Sequence, residues 1–265
     1  MKRGIQEFLE LHPIFTMGEF RAQFSLGEGR KASDALLHSK RMGRIGMIKE
    51  GLYFTVRPGQ TSVNAPVDPF LLASRLEHDA LLSFHTALDA LGYGHSDFNT
   101  YFCFSNQARP PLRFRGQQFR VVLTPGQLRK KFREDCCIEK VERLGVKILV
   151  TGKERTLVEC LERPKYCGGF EEMYRSLEKI PFLHPDVLLE YLDLREQKTL
   201  YARVGYFLEQ HRGEFQVEES LLRRLAANIP SRPVYWTRPR TGGVLAKRWS
   251  LIVPDAVHTR RWEER

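Results

Sequence analysis

Residues 14–56 read IFTMGEFRAQFSLGEGRKASDALLHSKRMGRIGMIKEGLYFTV, and the order of helical and strand-like signals in this stretch decides the fold of the N-terminal end. Thr16-Met17-Gly18-Glu19 is a capping-box pattern, in which the Thr16 hydroxyl and the Glu19 carboxylate satisfy open amides at the start of a helix. A short helix over 17–24 follows, with Met17, Phe20 and Phe24 at three- and four-residue spacing on one face and Arg21 outside it. After a loop at 25–30, Ser33 is the expected N-cap of a second helix. Ala35, Leu36, Leu37 and Met42 are expected to form its buried side, which turns Lys31, Ser33, Asp34, His38 and Arg41 outward. Gly43 ends that helix, and 45–48 and 52–56 are strand-like runs around the tight turn Lys49-Glu50-Gly51.

A helix, a second helix and a two-stranded hairpin, in this order, spell a winged helix-turn-helix. In that arrangement the later helix reads base edges in the major groove while wing and flanking cations hold phosphates. Lys31, Ser33, Asp34, His38 and Arg41 are therefore the expected reading residues, and Arg44, Lys49 and Arg57 the expected phosphate contacts. A plain helical domain with an ordinary hairpin would share each signal singly but not their agreement.

The remaining chain bounds what stands behind this module. Of 265 residues, about 200 follow it, enough for a second core. The hydrophobic share of 42% is that of a globular protein, and no run approaches the roughly 18 apolar residues of a membrane span. The N-terminus lacks an apolar leader, so a cytoplasmic protein is expected. The five cysteines, Cys103, Cys136, Cys137, Cys160 and Cys167, have neither repeated zinc-ligand spacing nor an even count, which argues against both a metal and a disulfide framework. The adjacent Cys136-Cys137 pair has the composition of a redox sensor, against which stands the commoner state, buried reduced cysteine.

The formal charge of +10 is unevenly placed. Residues 109–133 hold eight Arg or Lys and no acid, the chain from Arg223 onward is again basic, and 154–219 is acidic or balanced. Arg113, Arg115, Arg129, Lys130 and Lys131 are thus expected to extend a DNA-facing surface, the alternative being a solvated face or an acidic protein partner.

A linker is expected at 61–69, after an N-terminal domain at 1–60 and before a larger, mostly helical α/β domain at 70–265. The turn formers and Pro steps of 57–69 mark it. Beyond it, helices are expected at 69–76, 78–91, 153–161, 170–180, 184–192, 198–210 and 218–227, and strands at 98–105, 117–123 and 146–151. A subdomain break is expected near 165–185, and a basic, strand-containing tail over 230–265 around Arg-Thr-Gly-Gly. The fold class is α+β.

No nucleotide loop, zinc-protease motif or serine-nucleophile motif occurs, so no enzyme, cofactor or metal is expected. Glu154, Glu159, Glu162, Glu171 and Glu172 have the composition of a metal-dependent nuclease, but helical Glu at such spacing usually forms a solvated face. His78 and His85, seven apart, share one face of the expected 78–91 helix and read as structural.

Gly43-Arg44-Ile45 followed after five residues by Gly51-Leu52-Tyr53, the stretch Leu-Leu-Ser-Phe-His-Thr-Ala-Leu at 81–88, and Val-Thr-Gly-Lys-Glu-Arg-Thr-Leu-Val-Glu-Cys-Leu at 150–161 before Gly168-Gly169 together resemble the AbiEi antitoxins. The resemblance covers most of the chain. It implies a winged helix that binds inverted repeats of double-stranded DNA upstream of a two-gene operon and represses it. It also implies a larger domain that counteracts a nucleotidyltransferase toxin, AbiEii, in a type IV toxin-antitoxin system of phage defence; a membrane partner is not expected, because no apolar run is long enough to span. The residues alone leave two alternatives open: a standalone winged-helix transcription factor, and a metal-dependent nucleic-acid enzyme.

Overall fold

The computed structural model describes residues 2–24, 29–131, 133–237, 242–260 and 262. The chain runs α1 (Lys2–Leu11), β1 (Ile14–Thr16), α2 (Met17–Phe24), α3 (Gly29–Arg41), β2 (Ile45–Lys49) and β3 (Leu52–Thr55). It continues through α4 (Pro69–Ala73), β4 (Leu81–Leu82), α5 (His85–Ala90), β5 (Thr100–Ser105), β6 (Leu112–Phe114), β7 (Gln117–Leu123) and α6 (Gly126–Lys130). Then come β8 (Ile138–Arg143), β9 (Val146–Thr151), α7 (Lys153–Glu162), α8 (Phe170–Leu177), α9 (Pro185–Arg195), α10 (Lys198–Gln210) and α11 (Glu219–Ala226). The last elements are β10 (Val234–Tyr235), β11 (Val244–Ala246), β12 (Leu251–Val253) and α12 (Asp255–Thr259). The protein is a mixed α and β structure, and no helix among the described residues is long and apolar enough to cross a membrane.

Two compact units result, and they are not divided at 61–69. The first gathers 1–82, 99–122 and 140–149, so the N-terminal elements and most of the long sheet belong together. The second gathers 83–98, 123–139 and 150–265.

In the first unit, α1 was not foreseen, although Ile5, Phe8 and Leu9 carry a helical stripe and are buried. They meet Phe15, Phe20, Ala32, Leu36, Ile45 and Tyr53 in one core. Phe8 stands edge-on to Phe15 and Phe20 at 5.2 and 5.3 Å, a favoured aromatic geometry. The first capping box forms as expected: Thr16 N donates to Glu19 Oε2 at 2.7 Å, and Glu19 N donates to Thr16 Oγ1 at 3.1 Å. The other Glu19 oxygen pairs with Arg75 at 3.0 Å. Strand β1, also unforeseen, pairs antiparallel with β3, giving a three-stranded sheet in the order β1-β3-β2. Gly46 lies opposite Phe54, and a Cβ there would sit 2.1 Å from the ring, so the close approach of β2 to β3 requires glycine.

The same unit carries the six-stranded sheet, in the order β6-β7-β5-β4-β9-β8. Strands β4, β6 and β8 were not expected. The predicted helix over 78–91 is corrected to β4, a turn through buried Phe84 at φ 56°, and α5. The apolar run Leu81-Leu82-Ser83-Phe84 has no period of its own, and sheet pairing of Leu81 with Phe104 and Leu82 with Cys103 decides its conformation. His78 and His85 consequently do not share a helix face. Turns with two positive-φ residues, Arg115-Gly116 and Leu144-Gly145, join β6 to β7 and β8 to β9.

The second unit is mostly helical, with α7, α9 and α10 contributing its central apolar side chains. Thr151-Gly152-Lys153-Glu154 also carries the letters of a capping box at the start of α7, but the box does not form. Thr151 Oγ1 is 2.7 Å from Thr156 Oγ1, and Glu154 is buried and accepts from the amide of His184 at 2.8 Å. The expected strands of the tail form, and Trp236, Trp249, Leu251, Val253 and Val257 are buried while Lys247 and Arg248 stay exposed. Parallel β10-β12 and antiparallel β12-β11 form a small sheet, Trp249 lies against Gly205, where a Cβ would come within 1.9 Å of the indole, and Trp236 Nε1 donates to Leu161 O at 2.9 Å. The Arg240-Thr241 part of the expected turn, like the expected loop at 25–28, lies outside the described residues.

Candidate nucleic-acid interface

Helix α3 has two unlike faces. Ala32, Leu36 and Ser39 are buried, with Ala35 packed beside them, and the Ser39 hydroxyl donates to Ala35 O at 2.9 Å. Four- and three-residue spacing puts these on one stripe. Asp34, Leu37, His38 and Arg41 form the opposite stripe and are exposed, with Lys40 at its margin. The expected buried side is thus corrected in part: Leu37 is 47% exposed and Met42 57% exposed. Ala32 and Leu36 join Phe8, Phe15 and Phe20 in the core, and Leu37 lies one residue off that stripe. Ser33 is inside the helix and half-buried rather than its N-cap, because α3 begins at Gly29. Lys31 lies on α3, and its side chain is outside the described residues.

After Arg41, Gly43 takes φ +67° and turns the chain into Arg44, whose carbonyl accepts from Val56 N at 2.8 Å. This pairing brings the exposed side chains of Arg44 and Arg57 to one cleft of about 550 Å³, lined also by Gln6, Leu9, Met42 and Val56. Lys49 is placed differently. It lies at the turn end of the β2–β3 hairpin, where Gly51 takes φ +79°, and its Nζ donates to Leu76 O at 3.3 Å.

The basic run at 109–133 is divided between the two units. In the first, Arg113 is exposed, and Arg109 pairs with Glu77 at 2.7 Å. Arg115 sits at φ 48° on the tip of the β6–β7 hairpin, donates to Ser62 O at 2.6 Å and to Ala65 O, and stacks over Phe54 at 5.0 Å. Its guanidinium straps down the segment after β3. In the second unit, Arg129 and Lys130 are exposed on α6, while Lys131 pairs with Glu196 and Arg133 with Glu190, each at 2.6 Å.

Of the carboxylates considered for metal-dependent chemistry, Glu171 is exposed as expected, whereas Glu154 and Glu159 are buried and Glu162 and Glu172 half-buried. Glu159 is fully buried, accepting from Arg155 Nε at 2.9 Å and Tyr191 Oη at 2.7 Å. Burial raises its carboxyl above the usual range against the pull of these partners. Glu162 accepts two hydrogen bonds from Arg195 Nη2, at 2.8 and 2.9 Å. Glu171 pairs with Arg175 at 3.2 Å. Glu172 accepts from the Ser96 amide and hydroxyl at 3.0 and 2.7 Å and lies 3.2 Å from His85 Nε2. Each of these four carboxylates is held by cationic or hydrogen-bonding side chains.

No family model matches the chain, and no curated protein matches it. The fold has a solved counterpart in the crystal structure of the RV2827C protein from Mycobacterium tuberculosis, with a TM-score of 0.63 at 18% identity, over 99% of this chain and 94% of that one. The likeness shows that the fold of this chain, taken over nearly its whole length, is one already seen in a crystal.

Proposed function

We propose that the protein is a DNA-binding transcriptional repressor whose N-terminal elements act as a winged helix-turn-helix. The observation that carries this reading is the exposed Asp34, Leu37, His38 and Arg41 stripe of α3, set opposite a fully packed face and followed directly by Arg44. The order α1-β1-α2-α3-β2-β3 and the sheet order β1-β3-β2 support it. In this reading α3 enters the major groove of double-stranded operator DNA. His38 and Arg41 donate to purine edges, and Leu37 meets thymine methyl groups. Arg44 and Arg57, on one cleft, bind successive phosphates, and Arg113, Arg129 and Lys130 add to the field that draws DNA in. Lys49 and Arg115 act within the protein instead.

The second unit, in this proposal, is the antitoxin part of an AbiEi-like type IV system. It opposes a nucleotidyltransferase toxin encoded beside it and has no enzymatic role of its own. The resemblance of 81–88 and 150–161 to that family supports this part.

Variants separate the roles. Arg44→Ala should weaken operator and random DNA alike and lower the log-log salt slope by about 0.9, the value for one phosphate contact. Arg41→Ala should relax preference at one base position, at a cost of about 1–3 kcal/mol on the preferred base. Equal losses of both kinds from both variants, or none, would remove α3 from the groove.

A further inference from the structure

Adjacent cysteines in a protein fold are under a geometric constraint that separated ones escape, and here the constraint is close to a chemical one. Cys136 and Cys137 end a turn just before β8, with Cys137 at φ 53°, a left-handed conformation that costs a non-glycine residue roughly 1 kcal/mol. That conformation brings the two sulfurs to 2.9 Å, against about 2.05 Å in a disulfide. Cys136 is buried and Cys137 half-buried.

The surroundings set the two thiols apart. The hydrogen bond from Cys137 pulls the Cys136 thiol below its ordinary value, with Arg133 and Arg155 adding to it against burial and Glu190. The same bond and burial push Cys137 far up. Glu190 Oε1 lies 4.0 Å from Cys136 Sγ, and Arg133 Nη2 holds it at 2.6 Å. Buried Arg155 donates to the Cys136 carbonyl at 2.8 Å and to Glu134 O at 2.8 Å. The remaining cysteines contrast with this. Cys103, Cys160 and Cys167 are fully buried, and burial raises Cys103 to about 12 and Cys160 well above the ordinary thiol. The three ligand-type atoms of Cys136, Cys137 and Glu190 lie within 4.8 Å of one another, a spacing that would also suit a soft cation. Two guanidinium groups beside them oppose a further positive charge and favour a thiolate.

We propose that Cys136 and Cys137 form a reactive vicinal dithiol that a hydroperoxide converts to a disulfide between the two neighbouring residues. The Cys136 thiolate attacks one peroxide oxygen and the O–O bond breaks. Hydroxide leaves, takes a proton and becomes water, and Cys136 is left as a sulfenic acid. The Cys137 sulfur then attacks the Cys136 sulfur. The S–S bond forms as the S–O bond breaks, and the departing hydroxide takes the Cys137 proton as a second water. Two thiols and one hydrogen peroxide give one disulfide and two waters, the sulfurs losing the two electrons that the peroxide gains. Closure rotates the peptide whose carbonyl Arg155 holds, so it acts directly on the turn's attachment to α7.

The full chain reports this without any substitution. Trypsin releases Glu134-Asp135-Cys136-Cys137-Ile138-Glu139-Lys140 as one peptide, so the disulfide appears as an unalkylated peptide lighter by two hydrogens. After a brief hydrogen peroxide pulse, denaturation and alkylation, this peptide should lose its alkylation sites about tenfold faster than those bearing Cys103, Cys160 and Cys167. Dithiothreitol should restore them. Cys137→Ser should stop at a Cys136 sulfenic or sulfinic acid. Oxidation no faster than at Cys103, disulfides linking two chains, or one equivalent of zinc bound tightly by the dithiol and shielding it would each overturn the assignment.

Discussion

Replacing Arg115 by alanine discriminates between a cation that meets DNA and one that holds the protein together. The guanidinium donates to Ala65 O and Ser62 O and stacks over Phe54 and Phe114 at 5.0 and 5.1 Å. A charged donor on a carbonyl contributes about 1.5–3 kcal/mol when buried. One of these bonds is half-buried and the other exposed, so together they are worth roughly 1.5 kcal/mol, and the ring contacts at an open site add about 0.5 kcal/mol. The loss in Arg115→Ala is then about 2 kcal/mol, a fall of about 4–8 °C in Tm for a chain of this size. The left-handed backbone at φ 48° offers an internal control: Arg115→Gly loses the same contacts but relieves about 1 kcal/mol of strain, so it should melt between wild type and the alanine variant. Calorimetry measures both, and fluorescence anisotropy on labelled DNA measures the salt slope, which should stay unchanged. A slope lowered by about 0.9 with an unaltered Tm would refute the strap and make Arg115 a phosphate contact.

The buried pair Arg155–Glu159 should be costly to break: Glu159→Ala leaves a guanidinium at 0% exposure without its carboxylate, and urea denaturation should show a loss of about 3–5 kcal/mol. A loss under about 1 kcal/mol would mean that the Glu134 and Cys136 carbonyls and the Tyr191 ring suffice for Arg155. Burial holds His85 below its ordinary 6.5, outweighing the pull of Glu172. Burial also raises Glu172, but Ser96, His85 and Ser176 outweigh it and bring the carboxyl below 4.5. Both folded values lie under the unfolded ones, so each contribution is complete above the unfolded value and is lost as pH falls through the folded one. Wild-type stability should therefore fall as pH drops below 6.5 and again below 4.5, and Glu172→Gln should lack the second fall. A second fall that persisted unchanged in Glu172→Gln would contradict the network.

Much of this architecture can be read from single residues, and the failures share causes. The Thr16–Glu19 box is local and formed as written, whereas Thr151 and Glu154 carry the same letters but answer to distant partners, Thr156 and His184. The 198–210 helix and the 117–123 and 146–151 strands have clear periods and match the structure. Strand β4 hides in an apolar run that fits helix and sheet alike, because only its pairing with β5 distinguishes them. At the candidate interface, Asp34, His38 and Arg41 were legible from polarity. Leu37 was not, since nothing in its own chemistry says that its neighbour Leu36, with Ala32 and Ser39, fills the space under α3 instead. Nor does a charge run reveal its partners: Arg113 and Arg115 read alike, yet one is simply exposed and the other grips two carbonyls.

The most direct test is the affinity of the purified full chain for the DNA immediately upstream of its own gene, measured against a scrambled sequence of equal length across a salt series. The account predicts tighter binding to the upstream DNA by about 10³-fold or more at physiological salt, with a steep salt slope on both sequences. Equal, weak binding to the two would contradict it, and α3 would then be an exposed helix without a groove.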